Sequence, residues 1–210
     1  KSLLKETAIY GLSSIAARFI GYLLVPIETA KFNAAGGQYG IITNIYAYIA
    51  LLIIILTYGM ETTFFRFMNR QGENPEKVYA TTLRMVATTS LVFVLLLWAF
   101  LHPIAGAIGY PDHPEFIMIM GTCVAIDAFT AIPFAYLRLK HKALKFALLK
   151  MVSIVVNLVG VSLYLIVLPD MHVNFLGIYD AHFSLEVVWI FWIELSGSIL
   201  TLVLLAKELR

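Results

Sequence analysis

Charge is scarce in this chain. Only 13% of its 210 residues are charged, against about a quarter in an ordinary soluble domain. Hydrophobic residues make up 60% and the mean hydropathy is +0.86, which leaves too few polar faces for a water-soluble helical globule. Cysteine is almost absent as well: Cys123 stands alone, so an intrachain disulfide and a cysteine-based metal site are both excluded. Neither a GxxxxGK[ST] loop nor a Rossmann glycine pattern occurs, so ATP bound by this segment is not the energy source. No cofactor and no nucleic-acid partner are expected.

What the chain has instead is long apolar blocks. They cover about 9–29, 39–60, 84–101, 116–137, 146–168 and 187–206, each long enough to cross a bilayer. The expected fold is an all-α membrane protein of six transmembrane helices. Lys and Arg distribute unevenly over the connections. Lys1, Lys5, Arg66, Arg70, Lys77, Arg84, Arg138, Lys140, Lys142, Lys145, Lys150, Lys207 and Arg210 fall on one side, and Lys31 on the other. The positive-inside rule then puts both termini in the cytoplasm. The first span is interrupted by Arg18 and too long for a cleaved signal peptide, so it reads as a retained helix. The chain starts with Lys and stops one turn after the sixth span, so residues 1–210 are expected to be one six-helix lobe of a longer protein.

Three connections carry distinctive chemistry. The inner loop 61–83 contains Gln71-Gly72-Glu73-Asn74-Pro75, the turn chemistry of a hydrated connection, with a short interfacial helix expected after Pro75. In the outer loop 102–115, His102-Pro103 and Tyr110-Pro111-Asp112-His113-Pro114-Glu115 are expected to break any helix between the third and fourth spans. The outer segment 170–186 holds two Asp-x-His pairs, Asp170/His172 and Asp180/His182. Four ligands converging there on a metal is a weaker reading than a solvated loop, and no metal site is expected.

The polar residues inside the spans are few and costly. Arg18 falls near the middle of the first span, where an unpartnered guanidinium costs at least ~3 kcal/mol. Asp127 in the fourth span and Asn157 in the fifth lie at similar depth, and Glu194 about a third of the way down the sixth. Glu28 and Glu61 fall at the outer and inner boundaries. Equal depth suggests an Arg18–Asp127 pair. It reads either as a fixed salt bridge or as a cavity-lining arginine that exchanges its partner for an anionic substrate, and a guanidinium fork suits a diphosphate. Asn157 reads as interhelical glue, Glu194 as a boundary or proton-coupling residue. Pro26 and Pro133 can kink their helices, and Gly11, Ser14, Ala17, Gly21 and Ser196-Gly197-Ser198 permit close approach or sliding.

Three stretches carry a family likeness. Ala17-Arg18-Phe19-Ile20-Gly21, Pro26 and Gly37-Gln38-Tyr39-Gly40-Ile41 form the first. Tyr58-Gly59-Met60-Glu61 running to Arg66-Phe67 is the second, and Ile132-Pro133 running to Leu137-Arg138 the third. In this order they resemble bacterial polysaccharide flippases of the Wzx type, within the multidrug/oligosaccharidyl-lipid/polysaccharide exporter superfamily. The likeness covers residues 5–160. It implies a protein of twelve to fourteen helices, built as two six-helix lobes around a cationic cavity, of which this chain is the amino-terminal lobe. It further implies a bacterial inner-membrane protein that moves polyprenyl-diphosphate-linked oligosaccharide for surface polysaccharide such as lipopolysaccharide O-antigen. Arg18 would then hold the diphosphate, and Arg66 would make a head-group or gate contact. Membrane lipids, the carboxy-terminal lobe, a glycan polymerase and glycosyltransferases would be its partners.

The expected activity is therefore alternating-access transport rather than an enzymatic reaction. Arg18, Arg66 and Asn157 are the candidate substrate residues, with Asp127, Glu61 and Glu194 as charge partners or coupling groups. A cation-coupled drug exporter of the same superfamily is the first alternative, with Asp127 as the working carboxylate. A membrane-embedded enzyme or structural subunit of glycan assembly is the second.

Overall fold

A computed structural model describes residues 8, 10–12, 15, 19, 22–32, 37–70, 72, 74–170 and 186–206. Among them every regular element is helical. In chain order they are α1 (Leu24–Lys31), α2 (Gln38–Thr57), α3 (Met60–Met68), α4 (Pro75–Ala99), α5 (Leu101–Ile108), α6 (Pro114–Leu139), α7 (Ala143–Ser162) and α8 (Val187–Leu204). A π-helical turn, Leu163–Val167, continues α7 without a break. Five of these segments are long and apolar enough to cross a membrane: Gln38–Met68, Pro75–Ala99, Pro114–Leu139, Ala143–Val167 and Val187–Leu204. They correspond to the second through sixth expected spans. Of the first expected span, 9–29, the described residues are 10–12, 15, 19 and 22–29, α1 being its described end.

The bundle is organised around α6. Its sequence is apolar on all sides, and 67% of its most apolar stretch is buried, against 17% for Gln38–Met68 and for Ala143–Val167. A helix without a polar face belongs inside. Helices α2, α4 and α8 pack on it, and α7 packs chiefly on α8. The large apolar residues left exposed, such as Leu51, Ile54, Ile55, Leu91, Leu95 and Leu148, form the outward faces that a bilayer would cover.

Small residues set the closest approaches. A Cβ added at Gly160 of α7 would lie 2.7 Å from the Ile193 side chain of α8, and Gly197 of α8 faces Ser153 of α7. Within Ser196-Gly197-Ser198, Gly197 faces α7, Ser198 faces α6 and Ser196 is exposed. Pro133 is buried within α6, which continues through it as helix.

Two expectations about the connections are corrected. The segment 61–83 is mostly helix rather than a hydrated loop. Tyr58 and Gly59, at φ 31° and 71°, end α2 in two left-handed residues, and the chain turns at once into α3. Met60 and Phe64 are spaced i, i+4 and bury one face of that helix. The helix after Pro75 is not a separate interfacial piece but the start of α4, capped by Asn74 Oδ1, which accepts from the amides of Glu76 and Lys77. The expected break between the third and fourth spans is found: α4 ends at Ala99, four residues before Pro103, and α5 begins at Leu101 after Phe100. Pro103 occupies the first turn of α5, where its missing N–H has no intrahelical partner to lose, and Gly109 at φ 93° ends that helix.

The helices alternate in direction, so like ends gather. At one end the Phe64, Tyr79 and Tyr136 rings pack together, with Arg66, Arg70, Lys77, Arg138, Lys140 and Lys142 nearby in the chain. At the other, Tyr110, Phe116 and Phe191 pack edge to face. Tyr164 closes this second end: its hydroxyl donates to the Glu186 carbonyl at 3.0 Å and accepts from the Glu186 amide at 2.7 Å. That ties the π turn of α7 to the start of α8.

Candidate functional site

A cavity of about 540 Å³ lies between α1, α2, α7 and α8. Helical spacing builds its walls. Tyr39, Thr43 and Tyr46 recur on one face of α2, Ser153 and Asn157 on one face of α7, and Leu24 and Glu28 on one face of α1. Glu194, the eighth residue of α8, also lines the cavity. Its Oε2 accepts a hydrogen bond from the Tyr46 hydroxyl at 3.1 Å and another from the Asn157 amide nitrogen. The Tyr46 ring rests edge-on against Phe191, with centroids 6.5 Å apart, so the hydroxyl is held by packing as well as by its bond.

Glu28 shares this cavity. Its residue is only 7% exposed, yet its side chain has no hydrogen bond or ion pair among the described residues. Asp127 and Glu28 both act electrostatically on Glu194. No Lys, Arg or His is among the described residues that line the space. The described part of its lining is thus acidic and aromatic.

A second polar group sits on α6. Asp127 is exposed although it lies in the middle of that helix. Its Oδ1 accepts from the Ser198 hydroxyl of α8 at 2.8 Å, and the Cys123 sulfur is 3.2 Å from that same hydroxyl. Lys150 of α7 interacts electrostatically with Asp127 and places its Nζ 4.4 Å from the centre of the Phe134 ring.

The sequence candidates therefore divide. Asn157 and Glu194 are joined directly. Asp127 lies near enough to act on Glu194 electrically but takes its hydrogen bond from Ser198. Glu61 and Arg66 sit at the opposite, basic end: Arg66 is exposed in the last turn of α3, and Glu61 forms an ion pair with Arg138 of α6. Arg18, and with it the Arg18–Asp127 pair, falls outside the described residues. So do the His172 and Asp180/His182 positions of the acidic outer segment, and the side chain of Asp170. Among the described residues no three His, Cys, Asp or Glu side chains converge as metal ligands.

Sequence reasoning missed Glu28 and Tyr46. Glu28 looked like a boundary residue because depth was counted along the span. Its signal was local: Leu24, Val25 and Glu28 share a face, so a carboxylate lies on an otherwise inward-facing stripe. Tyr46, within an unbroken apolar run, offered no signal in its own neighbourhood.

A helical bundle with five bilayer-length segments, lipid-suited outer faces and a polar cavity among its helices is a multi-pass membrane protein. A family model described as "Polysaccharide biosynthesis protein" matches residues 36–170. The chain belongs to that family, and to the Wzx-type flippase likeness it represents. No curated protein and no solved structure matches it. The matched region contains Glu61, Arg66, Asp127, Arg138 and Asn157; Arg18, Glu28 and Glu194 lie beyond it.

Proposed function

We propose that the chain is the amino-terminal lobe of a flippase. It carries polyprenyl-diphosphate-linked oligosaccharide across the bacterial inner membrane for surface polysaccharide synthesis. The observation that carries this reading is the family match over 36–170 in a bundle with a polar cavity among apolar helices. The first span completes a set of six, both termini are cytoplasmic, and the basic end of the bundle faces the cytoplasm. A second lobe closes the other side of the substrate path. Rocking of the lobes moves the sugar head group while the polyprenyl tail stays in the bilayer. The chain transports rather than catalyses, and it works beside the glycosyltransferases and polymerase that make and use the glycan.

In this reading Arg18 holds the diphosphate, for the reason that brings guanidinium to any diphosphate: a planar fork of donors and a permanent charge. Asn157 and Glu194 contact the head group. Arg18→Ala in the full-length protein is expected to abolish flipping of a fluorescent lipid-linked oligosaccharide in proteoliposomes, with insertion unchanged and Arg18→Lys partly active. Normal flipping by the Ala variant would remove that role.

The acidic cavity lining also favours a second reading, a cation-coupled exporter of organic cations. Drug-stimulated proton or sodium flux in the same proteoliposomes, without flipping, would select it.

A further inference from the structure

We infer that the cavity between α1, α2, α7 and α8 is a binding site for a protonated organic amine, and that it selects amine-bearing or neutral sugars against acidic ones. The binding chemistry stands by itself; only the identification of the amine with the glycan head group rests on the flippase reading.

Three observations converge. The first is unanswered charge. Glu28 is 7% exposed and lacks a hydrogen-bond or ion-pair partner among the described residues, and Glu194 uses only Oε2 for its bonds from Tyr46 and Asn157. Its Oε1 accepts nothing among them. Two carboxylates thus present free acceptor positions to one space with no described cation on its walls, and a ligand that brings a positive charge and N–H donors satisfies both.

The second is size. About 540 Å³ matches small-molecule sites of ~300–1,000 Å³. A bare metal cation needs oxygens converging at roughly 2.3–2.6 Å, and no three ligating side chains converge among the described residues.

The third is aromaticity. Tyr22, Tyr39 and Tyr46 line the cavity, and aromatic faces attract ammonium groups while covering apolar sugar or alkyl surface. The same walls repel a carboxylate-bearing sugar.

Two amines are within reach: that of an amino sugar on the glycan and that of a phosphatidylethanolamine head group. Calorimetric titration of the full-length protein in phosphatidylglycerol nanodiscs tests the inference. Glucosamine, at a pH where its amine is charged, should bind roughly tenfold or more tightly than glucose, with glucuronate weakest. Glu28→Gln, which breaks no described hydrogen bond, should erase the preference for glucosamine. Nanodiscs containing phosphatidylethanolamine separate the sources. Competition with glucosamine in the wild type but not in Glu28→Gln assigns the site to the lipid amine, and unaltered glucosamine binding assigns it to the sugar; both support an amine site. Equal binding of glucosamine and glucose overturns the inference, as does displacement of glucosamine by sodium at equal concentration. Flipping measured in parallel keeps the two ideas apart. A protein that flips its lipid-linked substrate without preferring the amine refutes the amine site and leaves the transporter standing.

Discussion

Glu61 and Glu28 are both carboxylates near the ends of apolar helices, and the two ends of the bundle treat them differently. Glu61 meets Arg138 from α6, whose guanidinium also lies 5.6 Å from the ring centres of Phe65 and Phe146. Its charge is neutralised by a neighbour that aromatic rings hold in place. Glu28 is more deeply buried, sits with a second carboxylate, and has no such neighbour among the described residues. A bundle that only needed to stand in a membrane would gain from pairing or deleting such a group, because an uncompensated intramembrane charge costs free energy. The paired carboxylate fastens helices together. The one without a described partner is where, on the inference above, a ligand binds.

That contrast can be broken from either side. Arg138→Ala has the larger expected effect. It leaves Glu61 without its partner and removes the cover over two aromatic rings. The side chains of the pair are 33% and 39% exposed, so its loss should cost about 1–2 kcal/mol, between the values for surface and buried pairs. A lowered melting temperature in detergent would register it, and Arg138→Ala combined with Glu61→Gln should recover part of the loss. Glu28→Gln has the smaller effect and the opposite sign. Removing an unpaired charge without breaking a described bond should leave the melting temperature unchanged or raised. A clear drop would mean that Glu28 holds a structural partner and that the two ends are alike.

The helices were legible in the chain because long apolar blocks admit few other readings in a protein this poor in charge. The span containing α6 is the clearest case: 116–137 was expected and Pro114–Leu139 is found. Errors arose where a helix carries charge. α3 holds Glu61 and Arg66, and those charges masked the Met60/Phe64 spacing that buries its face. The site was half legible. Asn157 and Glu194 stood out as polar residues in apolar runs, and they meet. Which way a polar residue points is set by helix rotation, which depth along a span does not contain. Asp127 is matched with Arg18 by depth alone; Arg18 lies outside the described residues, and among them Asp127 accepts from Ser198 and Cys123. Tyr46 illustrates the remaining gap, since its role depends on an oxygen 148 residues away.

The most direct test of the account is to fill the cavity. Thr43 is an exposed cavity residue of α2 whose hydroxyl bonds only to its own helix, at Tyr39 and Gly40. Thr88 on α4 is equally exposed, bonds its own helix at Arg84, and lies away from the cavity. The measurement is the flipping rate of a fluorescent lipid-linked oligosaccharide in proteoliposomes containing the full-length protein with Thr43→Trp or Thr88→Trp. The account predicts that Thr43→Trp stops flipping and Thr88→Trp leaves it near the wild-type rate. Equal rates in the two variants, with both proteins folded, would contradict a substrate path through this cavity.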